Sequence, residues 1–153
     1  VDISSITKPT VASQGAVLLN AADGSVLFSK NGDTTYYPAS ITKIMTVLLA
    51  LENADPATVH TMSYEATHSI DSGSTHIALT EGEQITLKDL IYATMVASAN
   101  DAANGIAECV GGSIEQFVAM TKRQKRLARL ILILSMPMGC TIRTIIPQLM
   151  TWL

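Results

Sequence analysis

Ser40-Ile-Thr-Lys43-Ile-Met-Thr-Val-Leu-Leu49 is the stretch on which the reading of this chain turns. After Pro38, apolar residues fall at Ile41, Ile44, Met45, Leu48 and Leu49, the stripe of an amphipathic helix that should end near Asn53, before Asp55-Pro56. On such a helix the Ser40 hydroxyl and the Lys43 amine lie three residues apart, where side chains are neighbours at about 5 to 6 Å between Cβ atoms. A serine attacks poorly until a base takes its proton, and a lysine serves as that base only when uncharged. The positive end of the helix dipole and burial against Ile44 and Val47 both favour the uncharged amine, provided Ser40 sits at the helix N-terminus. The four-residue string alone equally fits a capping serine beside a solvated lysine.

Moving outward, Thr86 with Asp89 three residues on has the form of an N-terminal capping pair, and Leu87, Leu90, Ile91 and Met95 supply the buried face of a second helix. That stripe, extended by three, reaches Ser98. An inward hydroxyl there costs about 1 to 3 kcal/mol without a partner, and Lys43 is a suitable one. Ser98 can then relay a proton to a leaving amine, while Asn100, just past the helix end, can donate to and accept from a peptide-like substrate. The competing expectation is that Ser98-Ala-Asn100 only breaks one helix and caps the next. A further helix runs from about Asp101 through Ile106 and Val110 to Gly111-Gly112, and Ser113 with Gln116 opens another.

Towards the N-terminus, Gly15 to Asn20 and Ser25 to Ser29 are β-prone runs around Ala22-Asp23-Gly24, an expected antiparallel hairpin that leads to a turn at Asn31-Gly32-Asp33. Val59 to Gln84 is polar and without helical period, and reads as loops with one short strand at His76 to Leu79. Sheet and helix alternate without a βαβ rhythm, so the expected class is α+β. His60, His68 and His76 match no helical metal spacing, and Cys109 reads as a small core residue, so neither metal nor cofactor is expected.

At 153 residues the chain has room for one domain. Residues 1–121 hold all thirteen acids and four bases, Lys8, Lys30, Lys43 and Lys88; residues 122–153 hold six bases and no acid. The acidic body offers no stripe to follow phosphates, which argues against nucleic acid as partner. No run reaches the roughly 18 apolar residues of a spanning helix, Leu127 to Met138 being short and interrupted by Arg129. Two cysteines make no disulfide framework, and no export signal opens the chain, which leaves a cytosolic fragment or a processed, exported form.

Tyr37-Pro-Ala-Ser40-Ile-Thr-Lys43-Ile-Met-Thr46 followed by Ser98-Ala-Asn100-Asp-Ala-Ala103 resembles the serine-type D-alanyl-D-alanine carboxypeptidases, the low-molecular-mass penicillin-binding proteins. The likeness takes in the hairpin, Glu81-Gly-Glu83 and Gly111-Gly-Ser113, and spans about residues 12–120. It implies the N-terminal part of a β-lactamase-like transpeptidase fold, an envelope location facing away from the cytoplasm, and membrane attachment only for a full-length protein. By the same resemblance Ser40 attacks the D-Ala-D-Ala carbonyl of the peptidoglycan stem peptide with Lys43 as base. Ser98 passes the proton to the departing D-alanine, Asn100 holds the substrate backbone, and β-lactam antibiotics acylate Ser40. Two rivals remain: a class A-type β-lactamase, which usually has Ser-Asp-Asn where this chain has Ser98-Ala-Asn100, and a non-catalytic module that only grips peptidoglycan. The family's third motif, Lys-Thr-Gly on a core strand, has no match here, Lys30-Asn31-Gly32 being too early and at a turn. Weak or absent activity is therefore expected of this chain.

The loss of acids after residue 121 suggests a change of reading frame. If one base is missing within the codon of Thr121, each later codon becomes the third base of one residue plus the first two of the next. Met136-Pro137 then encodes alanine, Met138-Gly139 glycine and Met150-Thr151 aspartate, and the code permits Ala-His-Gly-Leu-His-Asp-Lys-Asn-His-Tyr-Thr-Thr-Ala-Tyr-Asp-Met-Ala. That string is similar to what the family carries after its Ser-x-Asn helices. Residues 1–120 are thus expected to be a partial carboxypeptidase domain and 121–153 an aberrant basic, apolar tail. The alternative is a natural tail that docks on a membrane or partner.

Overall fold

The structure, a computed structural model, describes residues 9–34, 36 and 39–123. Strands β1 (Ala16–Leu19) and β2 (Val26–Lys30) pair antiparallel, with Val17 opposite Ser29 and Leu18 opposite Phe28. Their turn closes through Gly24 N–H to the Asn20 carbonyl at 2.8 Å, with Gly24 at φ 75°, a backbone state glycine adopts without strain. Asp23 accepts from both the amide and the hydroxyl of Ser25, and these bonds hold its carboxyl below the usual carboxylate range. Asn31, at φ 49°, turns the chain after β2, as the Asn-Gly pair predicts.

A 3-10 turn, Ala39–Ile41, leads into helix α1 (Thr42–Asn53). The helix ends where the periodicity places it, but its buried face is rotated from the expected stripe. Met45 and Leu49 are buried with Thr42, Lys43, Thr46 and Ala50, whereas Ile41 and Ile44 face outward, 63% and 56% exposed. Ile41 precedes the helix, so counting from it carried the predicted face too far round.

The polar stretch that followed holds more than loops. Strand β3 (Val59–Thr61) pairs antiparallel with β4 (Gln84–Thr86), Val59 lying opposite Thr86, and helix α2 (Tyr64–His68) sits between them in sequence. Ser63 caps α2, its hydroxyl accepting from the Ala66 amide at 3.0 Å. The strand expected at His76 to Leu79 is not formed: those residues are irregular, because their amides turn to a side chain rather than to a neighbouring strand.

Helix α3 (Leu87–Val96) is capped as predicted, with the Thr86 hydroxyl accepting from the Asp89 amide at 3.1 Å and donating to the Asp89 carboxylate at 2.6 Å. Leu87 and Leu90 are fully buried; Met95 is about half exposed, contrary to the expected face, since the helix stops one residue later. Helix α4 (Asn100–Gly111) ends at Gly112 in the left-handed conformation, and Ser113 accepts from the Gln116 amide to start α5 (Ile114–Arg123). Helix α4 is the axis of the packing: Asn100 to Ala107 are buried, and α1, α2, α3 and α5 all touch it. Ala102 and Ile106 meet Val47, Leu87 and Leu90 on one side, and Ala107 meets Leu49 and Phe117 on the other. Gly105 permits the close approach, since a Cβ there would come within 2.7 Å of the Met62 sulfur.

Helices and antiparallel strand pairs without a parallel crossover make this an α+β fold, as the sequence predicts. No helix among the described residues is long and apolar enough to cross a membrane. The tail expected to be aberrant lies, from residue 124 onward, outside the described residues.

Candidate active site

The tightly packed α1, α3 and α4 bring two distant hydroxyls to one amine. Ser40 is exposed in the 3-10 turn before α1, and Lys43, three residues on and only 2% exposed, sits in the first turn of α1. Ser98 comes from the connection between α3 and α4. The Lys43 Nζ donates to Ser40 Oγ and to Ser98 Oγ, both at 3.3 Å, and the Ser98 hydroxyl donates to Ser40 Oγ at 3.0 Å. Three side chains thus close a triangle of proton-carrying groups.

This geometry removes the alternative in which Ser40 is only a cap and Lys43 only a solvated charge. Ile41 occupies the cap position of α1 without a side-chain cap bond, and the Lys43 amine is buried against hydroxyls. Of the two residues expected to bury the lysine, Val47 is itself buried whereas Ile44 points outward.

Ser98 reaches the cluster by a different route from the one its spacing suggests. Helix α3 has already ended, and Ser98 sits at φ 55°, left-handed, a conformation that costs a non-glycine residue about 1 to 2 kcal/mol. Ala39, immediately before Ser40, is also left-handed, at φ 47°. Among the described residues, two of the four non-glycine positions at positive φ thus lie at or beside these hydroxyls, the others being Asn31 and Ala78.

Asn100 is placed otherwise. It is 5% exposed, and both its backbone amide and its side-chain Nδ2 donate to the Thr75 carbonyl, at 2.9 and 2.8 Å. Its Oδ1 is buried without a hydrogen-bond partner, an acceptor still to be satisfied. The residues that the sequence reading missed are those of the segment 75–79 and Asp101, which binds them; the available signal was a carboxylate in the first turn of a helix whose cap position, Ala99, has no polar side chain.

Away from this cluster, the Glu108 carboxylate joins Ser63 Oγ at 2.5 Å to His60 Nε2 at 3.3 Å, tying α4 to β3 and to the start of α2. His68 stacks on Tyr64 with ring centroids 4.0 Å apart. The three histidines do not converge. Burial pushes the Cys109 thiol up from its ordinary value, which suits the packing role expected of it. A cleft of about 630 Å³ under residues 67–81 is lined by His68, Asp71, His76 and Asp101 but includes none of Ser40, Lys43 and Ser98.

Helices packed around α4 together with two short antiparallel strand pairs define an α+β fold that solved structures share. The D-alanyl-D-alanine carboxypeptidase of Mycobacterium tuberculosis H37Rv superposes with a TM-score of 0.80 at 22% identity, covering 92% of this chain and 55% of that one. Penicillin binding protein 5 from Haemophilus influenzae gives 0.79 at 24% identity, over 93% of this chain and 44% of that one. The model of the D-alanyl-D-alanine carboxypeptidase family matches residues 2–129, and the chain belongs to that family. It is 38% identical over 117 residues to D-alanyl-D-alanine carboxypeptidase DacF of Bacillus subtilis, covering 74% of this chain and 30% of that protein. Against the D-alanyl-D-alanine carboxypeptidase of Streptomyces sp. strain K15 it is 32% identical over 111 residues, 71% of this chain and 38% of the relative. The chain thus spans about a third of the length of these relatives.

Proposed function

We propose that residues 1–120 are the N-terminal part of the catalytic domain of a serine D-Ala-D-Ala carboxypeptidase, which removes the terminal D-alanine from peptidoglycan stem pentapeptides in the cell envelope. The observation that carries this reading is the Lys43 amine lying 3.3 Å from each of two serine hydroxyls. The uncharged amine that this chemistry requires is favoured by burial at 2% exposure and by the positive end of α1.

In the first step Ser40 Oγ adds to the carbonyl of the D-Ala-D-Ala bond as its proton passes to Lys43 Nζ. Collapse of the tetrahedral intermediate breaks the C–N bond, and Ser98, 3.0 Å from Ser40, hands a proton to the departing amine while drawing one from Lys43. Water then adds to the ester carbonyl, Lys43 again accepting the proton, and the acyl C–O bond breaks as Lys43 returns that proton to Ser40 Oγ. A β-lactam enters the same first step, its ring amide standing in for the peptide bond. The family resemblance assigns Asn100 to the substrate backbone; in this structure its Nδ2 is on the Thr75 carbonyl and its Oδ1 is buried, so the side chain must turn outward to make that contact.

The same reading assigns residues 121–153 to a frame change within the codon of Thr121. The family match ends at residue 129 and leaves most of this tail outside it. Sequencing the gene across codon 121 tests the point: an uninterrupted frame encoding the tail refutes it.

The activity is tested with fluorescent penicillin and the purified chain. Slow acylation is expected, one adduct per chain by mass spectrometry, mapped to Ser40 and abolished by Ser40→Ala. Rapid turnover of the drug would instead favour a β-lactamase, and a folded chain that is never labelled would favour a non-catalytic peptidoglycan-binding module.

A further inference from the structure

We infer that Asp101 is a positioning residue for this site: its carboxylate clamps residues 75–79 onto the start of α4 and so holds Ser98 in the strained turn that brings its hydroxyl to Lys43. The inference rests on the reading of Ser40, Lys43 and Ser98 given above.

Asp101 is 1% exposed, and its carboxylate accepts three backbone amides: Leu79 at 2.9 Å, Ala102 at 2.9 Å, and Ile77 at 3.2 and 3.3 Å to its two oxygens. Buried carboxylates are tolerated when donors surround them, and each bond to a charged acceptor is stronger than a neutral one. The traffic also runs the other way. The Thr75 carbonyl accepts the Asn100 amide and side chain. Segment and helix therefore cap each other: the helix start, which has no side-chain cap at Ala99, receives a carbonyl from the segment, and the segment's amides receive a carboxylate from the helix.

Ser98 lies two residues before this lock. On its other side, the amides of Ala97 and Ala99 both donate to the Ala93 carbonyl, at 3.1 and 3.2 Å, so the turn is pinned to the end of α3. A serine at φ 55° persists only where its surroundings over-determine it. With Asp101 uncharged, the segment and the first turn of α4 part, Ser98 relaxes towards the right-handed region, and its hydroxyl leaves Lys43. The motif Ser98-Ala-Asn100 thus needs the next residue to hold its shape.

The test replaces Asp101→Asn, which keeps the shape and removes the charge, and Ile77→Pro, which removes one of the same bonds from an exposed position should the first variant fail to fold. Amide exchange reads the clamp directly. Faster exchange at Leu79 by at least tenfold is expected in either variant, on the scale of a locally opened segment. The position of Ser98 is read without any activity, by the rate of oxidative cross-linking of a Ser40→Cys/Ser98→Cys pair in a Cys109→Ala/Cys140→Ala background. Thiols replacing hydroxyls 3.0 Å apart should couple readily, and about tenfold more slowly once Asp101 or the Ile77 amide is lost. Unchanged exchange overturns the clamp. Faster exchange with unchanged cross-linking leaves Asp101 a merely structural residue and overturns its positioning role. Penicillin acylation of the parent chain is measured separately, so failure of the proposed activity is seen as no labelling with the cross-link intact. Where the parent is labelled, Asp101→Asn should slow acylation by roughly a hundredfold, the cost associated with about 1 Å of misplacement.

Discussion

A lysine buried at 2% exposure is a poor contributor to stability, because an amine loses its hydration on burial whereas a thioether of similar length does not. Lys43→Met should therefore leave the urea midpoint unchanged or raised while acylation of Ser40 falls about 10² to 10⁴-fold, the usual contribution of a general base. Parallel decline of both would mean that Lys43 only holds the fold. Ser98 allows a similar separation. Ser98→Ala removes the hydroxyl and keeps the strain at φ 55°, whereas Ser98→Gly removes both, so the glycine variant should be the more stable by about 1 kcal/mol in urea unfolding. Equal stabilities would show that the turn is unstrained. The pairing of Ser40 with Lys43 was legible in the sequence because it depends on one helical turn. The orientation of Asn100 was not, since its partner Thr75 lies 25 residues earlier, on a segment with no pattern of its own.

Elements were legible where a local signal fixed both ends. The β1–β2 hairpin, α3 with its Thr86–Asp89 cap and α4 with Gly112 each carry such signals. Strands β3 and β4 have three residues apiece, too few to show alternation, and find each other across 25 residues. Helix α2 did carry a start signal, Ser63 three residues before Ala66, which the surrounding polar residues obscured. Two substitutions test the elements. Thr86→Ala removes the hydroxyl that accepts from the Asp89 amide and should cost about 1 kcal/mol, read as a lower urea midpoint at unchanged slope. Gly111→Ala should cost more, about 1 to 3 kcal/mol, because its Cβ would come within 2.7 Å of the Phe117 backbone nitrogen, which a rotamer change cannot move aside. A neutral outcome would mean that α5 is free to shift away from α4.

At the scale of the molecule, the apolar surface is unevenly covered. The start of α4 is buried, yet Val17, Leu18, Leu19 and Leu27 of the hairpin, and Ile41 and Ile44 beside the Ser40 turn, are all exposed, four of them (Val17, Leu18, Ile41 and Ile44) by more than half. A two-stranded sheet exposed in this way is marginal by itself. Its relatives are about three times as long as the stretch this chain shares with them, and the frame change proposed within the codon of Thr121 would open the way to further family sequence. These facts lead to one comparison: the 153-residue chain against a chain continued in the restored frame to the length of a relative. The continued chain should unfold at a higher temperature, bind less of a dye that reports exposed apolar surface, and acylate Ser40 with penicillin at least tenfold faster, since burial stabilises the fold and a fixed site reacts from fewer conformations. All three should move together, because the hairpin and the Ser40 turn both carry exposed apolar side chains that added sequence would cover. If acylation improves while dye binding and unfolding temperature do not, the added sequence completes the chemistry without covering the hairpin, and the exposed strands need another explanation.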